Sequence, residues 1–305
     1  MSNYWSQYWQ QGHLTSFGED IKGNYDGRLK SVWESAFANL KSDSTVLDIG
    51  TGNGALVALL YDVVDNSELP AIYAVDLATV CVDDELKAVS EKTEFISQVN
   101  CEHTSFGDNS FDLVVSQFGI EYSNLKKSIV EVSRLLKSGG VAKFVCHHKD
   151  SIIVKPNLSI LRVSNEINRK GTGVDLLKQL VTELRLSGKG SPKSEKLRGK
   201  LNKTMEKMVK TDEAAFMATN FHHLVRAVLA NIVATKADEI FNQFNGELMG
   251  SIERLTDLGN AALDKKSLST IEHYCQQNDL NLNVMEDIFN ENNELLGVSI
   301  EVQKR

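Results

Sequence analysis

The chain has 305 residues, 42% of them hydrophobic and 24% charged, with 33 basic against 41 acidic side chains and a net charge of −8. That composition excludes a low-complexity disordered chain, and the longest clean apolar stretch, around Gly54–Tyr61, falls far short of the roughly 18–20 residues of a membrane span. The acidic balance disfavours nucleic acid as a partner, the start MSNYWSQYWQQG lacks the parts of a signal peptide, and four scattered cysteines without a CxxC pair point to no disulfide framework, no zinc site and a reducing, cytoplasmic setting.

In chain order, the first feature is an aromatic concentration over residues 4–18. Tyr4, Trp5, Tyr8 and Trp9 share one helical face, as expected of a helix docked on a sheet edge or of a lid hinged at Ser16–Gly18. Residues 1–40 are therefore assigned as N-terminal lid helices. From 45 to 148, short β-rich runs alternate with helical stretches. The spacing predicts strands at Thr45–Ile49, Ala71–Asp76, Glu94–Val99, Phe111–Phe118 and Val141–His148. It predicts helices at Asn53–Asp62, Val82–Ser90 and Asn124–Lys137, the last closed by Ser138-Gly139-Gly140. Such alternation calls for a parallel, doubly wound α/β sheet covered on both faces.

From Ser151 to Gln277 the strand signal disappears. Helices are expected at Leu158–Arg169, Val174–Leu186, Lys193–Lys210, Glu213–Lys236 (capped by Thr211 or Asp212), Ala237–Gly259 and Leu268–Gln277. Strands Leu280–Phe289 and Leu296–Gln303, joined by the polar turn Asn290–Asn293, close the chain as an antiparallel hairpin. The domain assignment is thus a sheet domain of residues 41–150 plus 267–305, interrupted by a helical insert or substrate cover over 151–266. Within the insert, Lys193, Lys196, Lys200, Lys203, Lys207 and Lys210 form one helical stripe opposite Leu197, Leu201, Met205 and Met208. It reads as a solvated basic face or as a docking surface for something anionic, such as a phosphorylated glycan or an acidic carrier. Base-stacking aromatics are missing there, which weighs against nucleic acid.

The most informative segment is Val46-Leu47-Asp48-Ile49-Gly50-Thr51-Gly52-Asn53-Gly54-Ala55-Leu56. A buried strand runs into three alternate glycines and then into an apolar helix, so a ligand can approach the backbone and the free N–H groups of a helix start. Twenty-two residues after Gly54 the next strand ends in Asp76, whose carboxylate can take both hydroxyls of a ribose. Gly50-x-Gly52-x-x-Ala55 also satisfies the relaxed dinucleotide fingerprint, which keeps a nicotinamide-dependent oxidoreductase open. Asp48, suited to a cationic amino-acid moiety, and the closing antiparallel hairpin favour a different nucleoside cofactor.

Residues 45–148 plus 267–305 resemble a class I S-adenosylmethionine-dependent methyltransferase. Asp48-Ile-Gly50-Thr51-Gly52-Asn-Gly54 matches the family's cofactor loop and Val75-Asp76-Leu77 its ribose-binding strand end. Ser105-Phe106-Gly107-Asp108-Asn109-Ser110-Phe111-Asp112-Leu113-Val114-Val115-Ser116 matches the segment leading into its fourth strand, and Leu135-Leu136-Lys137-Ser138-Gly139-Gly140 the approach to its fifth. The resemblance implies a Rossmann-like seven-stranded sheet with the last strand antiparallel, S-adenosylmethionine as cofactor, and N-terminal helices over it. Where the family carries an acidic residue followed by a small one, this chain has Asn100-Cys101, implying that Asn100 meets the adenine amino group and the Cys101 backbone meets the ring. A non-catalytic module that keeps the cofactor while its insert recruits a partner is the remaining alternative.

Methyl transfer is an in-line displacement that depends on positioning, with a base where the acceptor loses a proton. Side chains for it should lie beyond the carboxyl ends of the strands. Gln117, Glu121 and Tyr122 follow the fourth strand, Gln117 being assigned to the cofactor. Glu121 could equally cap the helix near Asn124. His147 and His148 follow the fifth strand; an imidazole can accept a proton near neutral pH, and alternation sends the two to opposite sides. His222-His223 lacks a third ligand at helical spacing, so no metal is expected. The expected acceptor is a small or medium-sized molecule, free or carried on a glycan or carrier.

Overall fold

The computed structural model describes residues 4–16, 23–232 and 234–305. Seven strands form one sheet in the order β3-β2-β1-β4-β5-β7-β6. They are β1 Thr45–Ile49, β2 Ala71–Asp76, β3 Thr93–Ser97, β4 Phe111–Gln117, β5 Leu136–Cys146, β6 Leu280–Phe289 and β7 Leu295–Lys304. β1 to β5 pair in parallel, while β7 runs antiparallel to both β5 and β6. This is the Rossmann-like doubly wound arrangement with an antiparallel last strand. The order reverses at β1, so the carboxyl ends of β1 and β4 flank the crevice where open α/β sheets hold ligands.

Alternation along the strands builds two cores. Leu47, Ile49, Val114, Ala142 and Phe144 face α5 (Leu125–Leu135) and α12 (Lys265–Gln277). Val46, Ile72, Ala74, Leu113, Val115 and Val145 face α2 (Gly27–Phe37) and α3 (Ala55–Val63). Trp33 and Phe37 of α2 are fully buried and stack at 5.8 Å. A short α1 (Tyr4–Trp9) precedes them, and α4 (Asp84–Ala88) follows β2. The Phe17–Gly18 part of the expected hinge lies outside the described residues.

Several boundaries differ from the expectation for local reasons. α3 starts at Ala55 rather than Asn53, because Gly54 at φ 89° is its N-cap. α4 is shorter than Val82–Ser90: the Asp83 side chain caps it by accepting from the Glu85 N–H. β3 ends at Ser97, where Gln98 turns into the left-handed region. Ser138-Gly139-Gly140 does not close α5, which stops at Leu135. Leu136 is already paired with Phe111, and residues 137–140 bulge out of β5 before Val141 resumes the register opposite Leu113. β5 ends at Cys146, so both histidines lie past the strand.

The chain divides into two compact units, residues 1–154 with 260–305, and residues 155–259. The second is helical: α6 Val154–Asn168, α7 Gly173–Ser187, α8 Pro192–Thr211, α9 Glu213–Ala218, α10 Phe221–Ala230 and α11 Ala234–Ala261. α8 opens on Ser191 and Pro192, a capping hydroxyl followed by a residue whose missing N–H costs nothing at that position. The single helix expected over Glu213–Lys236 is α9, α10 and the first residues of α11: Asn220 turns left-handed (φ 55°) between α9 and α10, and α11, expected from Ala237, already begins at Ala234. Of the two caps considered, Asp212 serves, accepting from the Ala215 N–H. All four cysteines are unbridged. Among the described residues no helix is long and apolar enough to cross a membrane.

Candidate functional site

The glycine bend leaves β1 with all three glycines at positive φ (71°, 55° and 89°). Two of them are required by close contacts. A Cβ at Gly50 would lie 2.9 Å from the Gly119 Cα, and one at Gly52 would lie 2.6 Å from the Trp9 indole. The bend is stitched to β2: the Gly50 and Thr51 N–H groups both donate to the Val75 carbonyl. Asp76 at the end of β2 accepts from the Gly52 N–H at 2.9 Å and from the Ala78 N–H at 2.7 Å. Each of its oxygens keeps acceptor capacity for a further donor. Burial raises its pKa, against these backbone hydrogen bonds.

Beside the bend lies a buried polar cluster. Asp48 and Gln117 share the strand face of Val46 and Val115, the face covered by α2. Trp33 donates its indole N–H to the Gln117 carbonyl oxygen. Neither Asp48 oxygen has a hydrogen-bond partner, nor do the Thr51 hydroxyl, the Gln117 amide nitrogen or Glu121 Oε2. Burial raises the Asp48 pKa to about 7; the Thr51 hydroxyl opposes the rise without reaching hydrogen-bond geometry, and nearby Asp76 adds to it. Buried acceptors without donors, and a buried amide donor without an acceptor, are costly. Gathered at the strand ends, they describe the negative of a polar ligand carrying a cation, N–H or O–H groups, and an acceptor for the Gln117 amide. The Tyr25 hydroxyl belongs to the same cluster: burial raises its pKa strongly, Gln117 opposes this, and Asp48, Tyr8 and Glu121 add to it.

The chain leaves β4 through Phe118 at φ 54°, an unusual conformation for a bulky residue. A single 3-10 turn, Ile120–Tyr122, then turns Glu121 inward. Glu121 does not cap α5. Its carboxylate accepts from the His147 backbone N–H at 2.8 Å and pairs with His147 Nδ1 at 2.9 Å, and both side chains are buried. With the carboxylate as acceptor, Nδ1 is the donor of this bond, and in a neutral ring the lone pair is then on Nε2. The ring lies 4.2 Å from that of Phe118 and meets Tyr122 edge-on at 5.9 Å. His148 is turned elsewhere: its Nδ1 accepts from the Asp150 N–H, and its backbone bridges to Leu263.

α1 rests directly on the bend. Asn53 donates to the Trp9 and His13 carbonyls, and Ser6 Oγ accepts from the Thr79 N–H beyond β2. Trp5 joins the helix to the other strand end, meeting Tyr122 edge-on at 5.7 Å and stacking on Trp9 at 6.1 Å. Leu77 is 38% exposed just past Asp76. Asn100 forms a local turn, accepting from the Glu102 N–H, and the Cys101 thiol sits 3.6 Å from Ser128 Oγ. The His222 and His223 rings lie 3.9 Å apart in the helical unit, away from the strand ends in sequence. Among the described residues no three His, Cys, Asp or Glu side chains gather as metal ligands. Sequence reasoning did not single out Tyr25 or Trp33, whose place in the cluster follows from the docking of α2 and has no local signature.

Comparison with known proteins bears on the sheet. Residues 47–144 match the model of a methyltransferase domain. The uncharacterized methyltransferase YodH of Bacillus subtilis is 29% identical over 133 residues, 42% of this chain and 53% of that protein. An uncharacterized protein of Methanocaldococcus jannaschii is 29% identical over 173 residues, 52% of this chain and 63% of that protein. A second from the same organism is 35% identical over 113 residues, covering 37% and 45%. The chain thus spans about half the length of the curated relatives it matches. Among solved structures, phosphoethanolamine N-methyltransferase 2 of Haemonchus contortus, in complex with S-adenosyl-L-methionine, is 13% identical over 99% of this chain and 56% of that one. Its TM-score of 0.40 is too low to bear on the site.

Proposed function

Starting from a sheet domain that belongs to the class I S-adenosylmethionine-dependent methyltransferase family, we propose that the chain binds S-adenosylmethionine at the glycine bend and transfers its methyl group to a small or medium-sized acceptor. The observation that carries this reading is the set of buried, unpartnered polar atoms on Asp48, Thr51, Gln117 and Glu121 at the carboxyl ends of β1 and β4. Asp48 would pair with the ammonium of the methionine moiety, with Thr51 and the Gln117 amide beside it. Asp76 would take the ribose hydroxyls on its remaining lone pairs, while Leu77, Asn100 and Cys101 flank the adenine. Gly50, Gly52 and Gly54 supply the positive φ of the bend and let Gly119, Trp9 and Leu86 with Phe95 pack closely against it. Bound there, the cofactor supplies an electrophilic methyl group.

The chain's own part is to orient, exclude water and move a proton. Glu121 fixes the His147 ring from Nδ1 and offsets the charge that develops on it. Nε2 of His147 then accepts the acceptor's proton, and Tyr122 holds the ring edge. His148, engaged with Asp150, is not the proton acceptor in this reading. α1 serves as the cover that keeps water from the bend. An acceptor with anionic groups, free or on a glycan or carrier, and a cytoplasmic location complete the proposal.

Calorimetry with S-adenosylhomocysteine tests it. The wild-type chain should bind, and Asp76→Ala should weaken binding by about 1–3 kcal/mol, the usual loss for hydrogen bonds to a charged partner. Absence of binding, with NADH taken up instead, would overturn the assignment. Methyl transfer to an acceptor separates an enzyme from a module that only holds the cofactor.

A further inference from the structure

The unit of residues 155–259 contains a groove of about 770 Å³ between α6 and α8. α6 contributes Ser159, Arg162, Val163 and Glu166, and α8 contributes Lys200, Lys203 and Lys207 with Met208, each set at the three- and four-residue steps of one helical face. Leu176 of α7 completes the apolar part of the lining. The lysine stripe of α8 is therefore not a uniform solvated face. Lys193 is paired with Glu183 at 2.9 Å, and Lys196 and Lys210 lie outside the groove, while the middle three lysines line it.

The charges of the groove do not balance. Five cations (Arg162, Arg169, Lys200, Lys203 and Lys207) meet two carboxylates, Glu166 and Asp212, and both carboxylates are already engaged. Glu166 takes a two-point fork from Arg169 at 2.8 and 2.7 Å, with Lys207 adding to the field that lowers its pKa. Asp212 caps α9. Among the described residues Lys200 and Lys203 have no carboxylate within ion-pair distance. Arg162 spends one N–H on Ser159 Oγ at 2.7 Å, which leaves the Ser159 proton to donate. Like charges brought together around a concavity repel unless an anion fills it.

We infer that this groove binds a soluble phosphomonoester of a small molecule. A phosphate ester carries about −1.5 to −2 at neutral pH, which a single carboxylate does not, and so matches the surplus of unengaged cations. Arg162 supplies the planar fork suited to phosphate oxygens, Lys200 and Lys203 supply compact charge, and Ser159 supplies a hydroxyl donor. Val163, Leu176 and Met208 give the carbon body an apolar rest. The volume falls in the range of small-ligand sites, roughly 300–1,000 Å³. No aromatic side chain lines the groove, so base stacking is not on offer and nucleic acid is not the occupant.

This inference stands apart from the methyl-transfer reading and is tested without activity. Hexyl phosphate is titrated into the full-length chain by calorimetry, alongside neutral hexanol and vesicles containing phosphatidic acid. Hexyl phosphate should bind and hexanol should not. The exposed pair Lys200→Met with Lys203→Met should weaken hexyl phosphate binding by at least about tenfold, as expected of lost charge-assisted contacts. Lys196→Met with Lys210→Met, which removes as much charge outside the groove, should leave it within about twofold. No heat with hexyl phosphate at about 10 mM, equal loss in both double variants, or binding to the vesicles alone would each overturn the proposal.

Discussion

Asp48 is a carboxyl group that folding buries without giving it a donor, and its chemistry follows from that. Its pKa of about 7 lies above the unfolded value of 3.8, so the folded chain holds the proton more tightly. Stability from this group is therefore lost as pH rises from 3.8 through about 7. Asp48→Asn should raise the melting temperature of the ligand-free chain above pH 7 and change it little near pH 4. A ligand ammonium beside Asp48 favours the anion, so binding should release a proton. Affinity for S-adenosylhomocysteine should then increase with pH up to about 7 and level off, a rise that Asp48→Asn abolishes. Calorimetry across that range would reject the pairing if the wild-type affinity stayed flat. Asp48, Asp76 and the glycines were legible in the sequence because strand and bend fix their spacing locally. Tyr25, Trp33 and the Glu121–His147 pair were not all so: 26 residues separate Glu121 from His147, and only the pairing of β4 with β5 brings them together.

Among the elements, α1 is the one seated directly on the glycine bend, through Trp9 and Asn53. The aromatic face was visible as a helix, but its seat was not, since the contact is between Trp9 and a glycine that has no side chain to advertise it. Trp9→Ala should leave the two sheet cores intact, because Trp9 belongs to neither, while amide exchange at Gly52 and Asn53 speeds up and cofactor affinity falls. Unchanged exchange at those amides would mean that α1 is not held by its seat on the bend. The Ser105–Ser116 motif, read as part of a family pattern, ties the scaffold together: Asp112 joins β1 to β5 by accepting from the Thr45 N–H and from Lys137, and Asp108 accepts from Arg134 of α5. Nearby, burial pushes the Glu131 carboxyl up, but the Arg134 guanidinium and two Thr104 donors hold it down at about 2. The bulge at residues 137–140 and the break at Asn220 escaped periodicity because each interrupts a pattern whose apolar positions continue across it.

At the scale of the whole chain, the parallel sheet, the antiparallel closing hairpin and the run of helices between them were readable, because they rest on long runs of strand–helix alternation and its loss; the strand order was not, since alternation does not say which strands are neighbours. The charge distribution inside the insert was not, since a single helix cannot say which of its lysines meet a neighbour. The insert has its own core, drawn wholly from residues 163–252, and neither sheet core borrows from it. Replacing residues 155–259 by a short flexible linker should therefore leave a sheet domain that unfolds cooperatively and still binds S-adenosylhomocysteine, while methyl transfer to the natural acceptor is lost. Failure of that shortened chain to fold would show that the two cores depend on each other.

Where the chain departs for the insert and where it comes back, it is fastened at one spot. The Leu263 N–H donates to the His147 carbonyl, the Lys149 N–H donates to the Leu263 carbonyl, and Lys149 meets Asp264 at 2.7 Å. A segment closed at its neck in this way can be lengthened, trimmed or traded for another without retuning the strand ends of the sheet unit. The same fastening grips the histidine proposed to take the proton, so any exchange that disturbed the neck would be felt first as a misplaced imidazole. Substitutions in the middle of residues 155–259 therefore leave the neck, and the backbone that carries the His147 ring, where they are.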